Sequence, residues 1–216
     1  MKFHQIFNTI GILLVLASSS FAFEEGPYVG GYGGLNVLTK STAKDDVGSF
    51  NLSFKPAAVW GVVLGWELGP DTPLGGQGKI ELEYSRRSNG LDQAEFADGT
   101  FSGSGELRAD SILLNTYYVH RTGSWLSPYA GLGAGVALLK ADRFNAAGLT
   151  IATGTDTAFA YQAGVGLDIA LVKHLTMDLG YRFMGTTRPT FTEPDGVKFK
   201  SDYYSHNALL GLRVGF

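Results

Sequence analysis

The sequence contains no cysteine. That excludes a disulfide scaffold and a lipidated N-terminal cysteine, so stability and any membrane attachment must come from the fold itself. Charge is sparse as well: 17 Lys and Arg stand against 20 Asp and Glu in 216 residues, and the net charge is −3. No basic run exists, so nucleic-acid binding has no electrostatic support. After the first two dozen residues nothing approaches the ~18 consecutive apolar residues of a spanning helix. Helical periodicity is almost missing too. What the chain does have is glycine (30) and aromatics (10 Tyr, 14 Phe, 3 Trp).

Residues 1–22 read as a cleaved secretory signal. Lys2 supplies the positive start and Ile10–Ala17 the apolar stretch, while Ser20-Phe21-Ala22 puts small residues where signal peptidase reads. The apolar run is too short to span ~30 Å of hydrocarbon comfortably, which favours cleavage before Phe23 over an anchor. Removing Lys2 leaves 16 basic and 20 acidic residues, or −4, for the domain expected over 23–216.

That domain alternates with period two. Trp60, Val62, Leu64 and Trp66 share one face, as do Ile80, Leu82 and Tyr84; Phe159 through Ile169 and Met177 through Phe183 follow the same rule. The opposite face carries glycine and Glu67, Glu81, Glu83, Arg87, Gln162, Asp168, Asp178, Arg182 and Arg213. Strands are expected at 28–39, 56–68, 78–88, 108–121, 128–141, 156–171, 175–186 and 202–216, with the facing of 112–119 undetermined. The intervals 40–55, 89–107, 142–155 and 187–201 read as long polar loops, and 69–77, 122–127 and 172–174 as short turns. If the mature chain sits in a membrane, it must do so as a closed barrel, because only helices and barrels satisfy every backbone group in lipid. The expectation is therefore an all-β, single transmembrane, antiparallel up-and-down β-barrel of about eight strands. Long loops would face outward and both termini the periplasm.

An interior this narrow is just filled by side chains, and a lone ion there would cost several kcal/mol, so its charges must pair. Asp178 and Arg213 are expected to pair across adjacent strands, with Glu81, Glu83, Arg87, Asp168, Gln162 and Arg182 extending the network and Lys79 and Arg121 supplying further positive charge. This network reads as a structural plug in preference to a narrow pore. Trp60, Trp66, Tyr84, Tyr161, Tyr181, Phe183 and Phe216 fit interfacial girdles. Gly131, Gly133 and Gly135 lack the following helix that a phosphate loop needs, and read as small residues that let the chain pack inside. No His pair has metal-ligand spacing, and no cofactor is expected. Ser205 and His206 are neighbours on one strand, so they point to opposite faces and make a poor hydrolase pair. The acidic interval with Asp92, Glu95, Asp98 and Glu106 reads as a mobile, solvated tip, ahead of an adhesive or cation-binding surface.

The chain ends with Leu210, Leu212, Val214 and Phe216 at every second position. This resembles the terminal-strand signal that the barrel-assembly machinery reads in outer-membrane proteins. Leu114-Asn115-Thr116-Tyr117-Tyr118, Ser127-Pro128-Tyr129-Ala130-Gly131-Leu132-Gly133, Phe159-Ala160-Tyr161-Gln162-Ala163-Gly164, Gly180-Tyr181-Arg182-Phe183 and His206-Asn207-Ala208-Leu209-Leu210-Gly211-Leu212 resemble, in order, the small OmpA-like, opacity-type surface barrels. The resemblance implies an outer-membrane location with lipid around it, a non-enzymatic monomer, and a host or surface ligand met through the loops. A lipid A-modifying enzyme or a small pore are the alternatives.

Overall fold

The computed structural model describes residues 25–44, 49–69, 77–146, 149–192 and 198–216; the signal segment expected at 1–22 lies outside them. Among these described residues twelve strands make one antiparallel sheet. They are β1 (Gly26–Leu38), β2 (Ser41–Lys44), β3 (Ser49–Phe54), β4 (Ala57–Glu67), β5 (Gln77–Phe96) and β6 (Gly99–Val119). The remainder are β7 (Leu126–Ala146), β8 (Leu149–Val172), β9 (Leu175–Thr186), β10 (Thr190–Thr192), β11 (Lys198–Ser201) and β12 (Tyr204–Gly215).

The pairings form a circuit: β5–β4–β1–β12–β9–β8–β7–β6, returning through β6–β5. The circuit removes every free edge, and with it the risk of edge-to-edge association. β5 to β8 outrun their neighbours. Their upper halves form a second circuit through β3, β2, β11 and β10, which meets β8 at Thr192 and Thr153. The molecule thus has a lower and an upper storey sharing four continuous strands. β8 is 24 residues long; at ~3.3 Å per residue and a tilt near 40° that is roughly 60 Å along the axis, about twice a hydrocarbon core.

Here the structure corrects the sequence reading. The eight expected strands correspond to β1, β4, β5, β6, β7, β8, β9 and β12, but 89–107 and 142–155 are largely strand, not loop. The intervals 40–55 and 187–201 likewise contain the four short strands. The acidic interval is therefore a paired hairpin, in which Glu95 meets Lys40 at 3.1 Å and Asp92 approaches Lys55 at 3.9 Å.

Polarity reverses between storeys. Below, the outward face is apolar: Val62, Leu64, Leu82, Leu114, Leu132, Val165, Leu179 and Leu210 are all at least half exposed. Above, the outward face carries Arg86, Ser88, Arg108, Lys140, Thr155 and Thr157, and the apolar residues turn inward. Leu52, Leu91, Ala94, Leu139, Phe144, Phe191 and Phe199 bury there as one cluster. Its rings touch in series, Phe96 to Phe50 at 5.1 Å, Phe50 to Phe199 at 5.5 Å and Phe199 to Phe191 at 5.9 Å. Such pairs each contribute ~1 kcal/mol beyond burial. The facing left open at 112–119 is settled: Leu113, Asn115, Tyr117 and Val119 are buried inward, and Ile112 and Leu114 are exposed.

Candidate functional site: the charged interior of the lower storey

Strand alternation sends every second residue of β4, β5, β8, β9 and β12 inward, where the narrow ring leaves them little solvent. Glu67, Glu81, Glu83, Asp168 and Asp178 supply five carboxylates inside the lower storey, and Lys79, Arg87, Arg121, Arg182 and Arg213 five cations. The excess of acid counted over the expected network is cancelled by Lys79 and Arg121.

Near the short-turn end, Asp168 is the hub. Its carboxylate accepts from Lys79 Nζ at 3.0 Å and lies 2.7 Å from Arg213 Nη2, while Arg121 is 3.9 Å away. Arg213 also meets Glu67 at 3.1 Å, and Glu67 meets Arg121 at 2.6 Å. Asp168 is fully buried and Lys79 nearly so, so these contacts act at low effective dielectric, where removing one partner is far costlier than at the surface. Lys79 Nζ also stands 4.1 Å over the Tyr129 ring, and Arg213 5.1 Å over Tyr28.

Higher up, Glu83 is the second hub. Arg182 Nη1 donates to its Oε2, which also accepts from Asn115 Nδ2 at 2.8 Å and Gln162 Nε2 at 3.3 Å. Tyr32 donates to its Oε1 at 2.6 Å, and Tyr28 donates to Glu81 Oε1 at 2.7 Å. Arg87 closes this level with neutral partners: Ser85 at 2.8 Å, Ser111 at 3.2 Å and Asn207 at 3.1 Å. Glycine makes the room. Inward Gly133 lies where a Cβ would collide with Asn115 Oδ1, and Gly131 where one would collide with Tyr117.

All eight residues expected in the network face the interior, but the expected Asp178–Arg213 pair is replaced. Arg213 reaches past β9 to Asp168 on β8 and past β1 to Glu67 on β4. Asp178 lies opposite Asp168 on β9 and lines a water-sized gap with Glu81, Arg182 and Arg213. Partners meet across a narrow interior, not only between neighbouring strands, and adjacency in the sheet is all that a sequence reveals. Tyr28, Tyr32, Asn36, Asn115 and Asn207 also belong to the network; the first three lie on the glycine-laced first strand, whose facing the sequence leaves open.

Among the described residues no group of three His, Cys, Asp or Glu is arranged to hold a metal. Ser205 is buried inward, whereas His206 is exposed outward and bonds Tyr181 Oη at 2.7 Å. The girdle candidates Trp60, Trp66, Tyr161, Tyr181 and Phe216 are likewise exposed outward.

The fold is similar to that of known small barrels. Neisserial surface protein A aligns at 17% identity over 88% of this chain and 97% of its own, with TM-score 0.54. OprG from Pseudomonas aeruginosa aligns at 15% identity over 92% and 100%, with TM-score 0.58. No curated protein sequence matches the chain. The description "outer membrane protein beta-barrel domain" matches residues 10–216, and the chain belongs to that family.

Proposed function

We propose that the protein crosses the outer membrane as an eight-stranded monomeric barrel, plugged by its charge network. The upper storey stands outside the cell and presents hairpin tips to a host or surface ligand, as an interaction or antigen-bearing protein. The reversal of facing carries this reading. A sheet that is apolar outside and ionic inside suits lipid, and the same strands, polar outside and phenylalanine-filled inside, suit water. The family supports the location, and both termini, at the end of the short turns, then face the periplasm. A gel of unheated and boiled outer-membrane fractions tests it. The unheated mature protein should migrate as a compact, detergent-resistant species and shift on boiling; a soluble periplasmic protein with no shift would overturn the assignment.

The terminal pattern Leu210, Leu212, Val214 and Phe216 is outward-facing and exposed, available to the barrel-assembly machinery before lipid covers it. Deleting Phe216 should lower the amount of folded protein in the outer membrane several-fold in cells. Refolding of the purified chain from urea into detergent should be unchanged. Equal loss in both settings would make Phe216 a stability residue instead of a signal.

A further inference from the structure

The register of β6 and β7 sets like charges side by side on the outer wall. Arg108 lies directly opposite Lys140, and one step higher Glu106 lies opposite Asp142. Like charges directly opposite are destabilising in a sheet, so the arrangement calls for something that offsets it. Among the described residues Arg108 forms an ion pair with Glu106 at 3.2 Å and has Asp110, itself held by Arg86, two residues below on the same face, yet its Nε is buried without a hydrogen bond. Lys140 is exposed, with no carboxylate in ion-pair reach among the described residues.

Position identifies the occupant. Ile112 and Leu138, both exposed, are the last apolar outward residues of these strands. Arg108 and Lys140 come four and two residues above them, about 5–10 Å along the axis for a tilted strand. That is the depth of the headgroup layer beside a hydrocarbon core. Beneath, on β4 to β6, an outward apolar groove of about 360 Å³ is lined by Val62, Leu64, Leu82, Tyr84 and Ile112. Arg86, paired to Asp110 at 2.6 Å, stands at its upper end, next to Trp60 and Tyr84.

We propose that this wall binds a phosphate-bearing glycolipid of the outer leaflet, its phosphate on Arg108 and Lys140 and an acyl chain in the groove. The inference rests on the transmembrane reading above. Arg108 offers a guanidinium fork suited to phosphate oxygens, and Lys140 a point charge. An anion between them turns a cross-strand repulsion into two attractions, bounded by Glu106 and Asp142 above and by Asp110, already neutralised by Arg86, below.

The test uses the mature protein in phosphatidylcholine nanodiscs containing either diphosphoryl lipid A or its phosphate-free counterpart, with retained lipid read by native mass spectrometry. Wild type should retain the diphosphoryl form selectively. The double variant R108Q/K140Q should retain about thirtyfold less, from the ~1 kcal/mol that each of the two cations contributes near an anionic surface. K198Q/K200Q, which alters cations on β11, should match wild type. Equal retention of the two lipids by wild type, or undiminished retention by R108Q/K140Q, would overturn the proposal. So would equally tight binding of the phosphorylated disaccharide without acyl chains, which would mark a soluble polyanion site. Failure of wild type to enter nanodiscs or to show the heat-dependent gel shift would instead overturn the transmembrane reading.

Discussion

Replacing Asp168 with alanine is expected to cost roughly 3–5 kcal/mol of stability, the penalty for leaving buried charges without their partner. The single carboxylate answers Lys79 and Arg213 directly and Arg121 at longer range. Without it, Arg121 and Arg213 keep only Glu67 from this cluster, and buried Lys79 loses the carboxylate it is paired with. Neighbouring Asp178 stands beside Tyr129 at Gly180 and lines the water-sized gap with Glu81, Arg182 and Arg213. Urea unfolding of the mature protein in phospholipid vesicles, followed by tryptophan fluorescence, gives the number. A second variant, D168A/K79M, removes one orphaned cation along with the carboxylate and should recover part of the loss, giving a coupling term between contacting residues. A cost below about 1 kcal/mol for D168A, with no recovery, would mean that the hub is not structural and that water compensates the cations.

Replacing Phe144 with alanine should loosen the upper storey without opening the lower. Phe144 is almost fully buried on β7, faces Phe54 at 5.9 Å and belongs to the apolar cluster. Truncating a buried phenylalanine costs about 3–5 kcal/mol. If the storeys are separately stabilised, that energy is lost to local opening, raising the open population by roughly two to three and a half orders of magnitude. Trypsin cleavage near Lys140 and Arg143 should accelerate accordingly, while the compact unheated gel species persists. Loss of the gel shift together with cleavage would show that the two storeys melt as one unit.

The lower storey was legible in the sequence because its alternation is unbroken. Phe159 to Ile169, Met177 to Phe183 and His206 to Phe216 hold one parity from end to end, and their faces are where the alternation puts them. The upper storey was hidden by bulges. On β7 the inward residues are Ala137, Leu139 and Ala141, then Phe144 and Ala146. The parity flips where the β7–β8 register shifts between Ala141 and Phe144, and there Arg143 takes a positive φ of 45°. On β5 inward Leu91 is followed by inward Ala94, with a register shift between Gly90 and Gln93. An extra residue in each strand makes a strict period-two pattern dissolve, and polar outward residues then look like a loop. The change in which face is apolar compounds the effect: a reader who has learned "apolar means outward" from Trp60 to Trp66 meets the reverse in Leu91 and Phe144. The charged interior was legible as a set but not as pairs, since Arg182 to Glu83 and Lys79 to Asp168 join strands that are not neighbours.

Those cross-lumen pairs bear on how the chain can enter a bilayer. Arg213 on β12 finds its carboxylates on β4 and β8, and Arg182 on β9 finds its own on β5. An open, half-inserted sheet would therefore hold ions on a face with nothing opposite, and each would oppose transfer into hydrocarbon. Neutralisation arrives only with circularisation, when the first and last long strands, β1 and β12, pair and complete the ring. Insertion should then be concerted, with no stable arc-shaped intermediate in lipid, and the aqueous chaperoned chain and the finished cylinder as the two populated species.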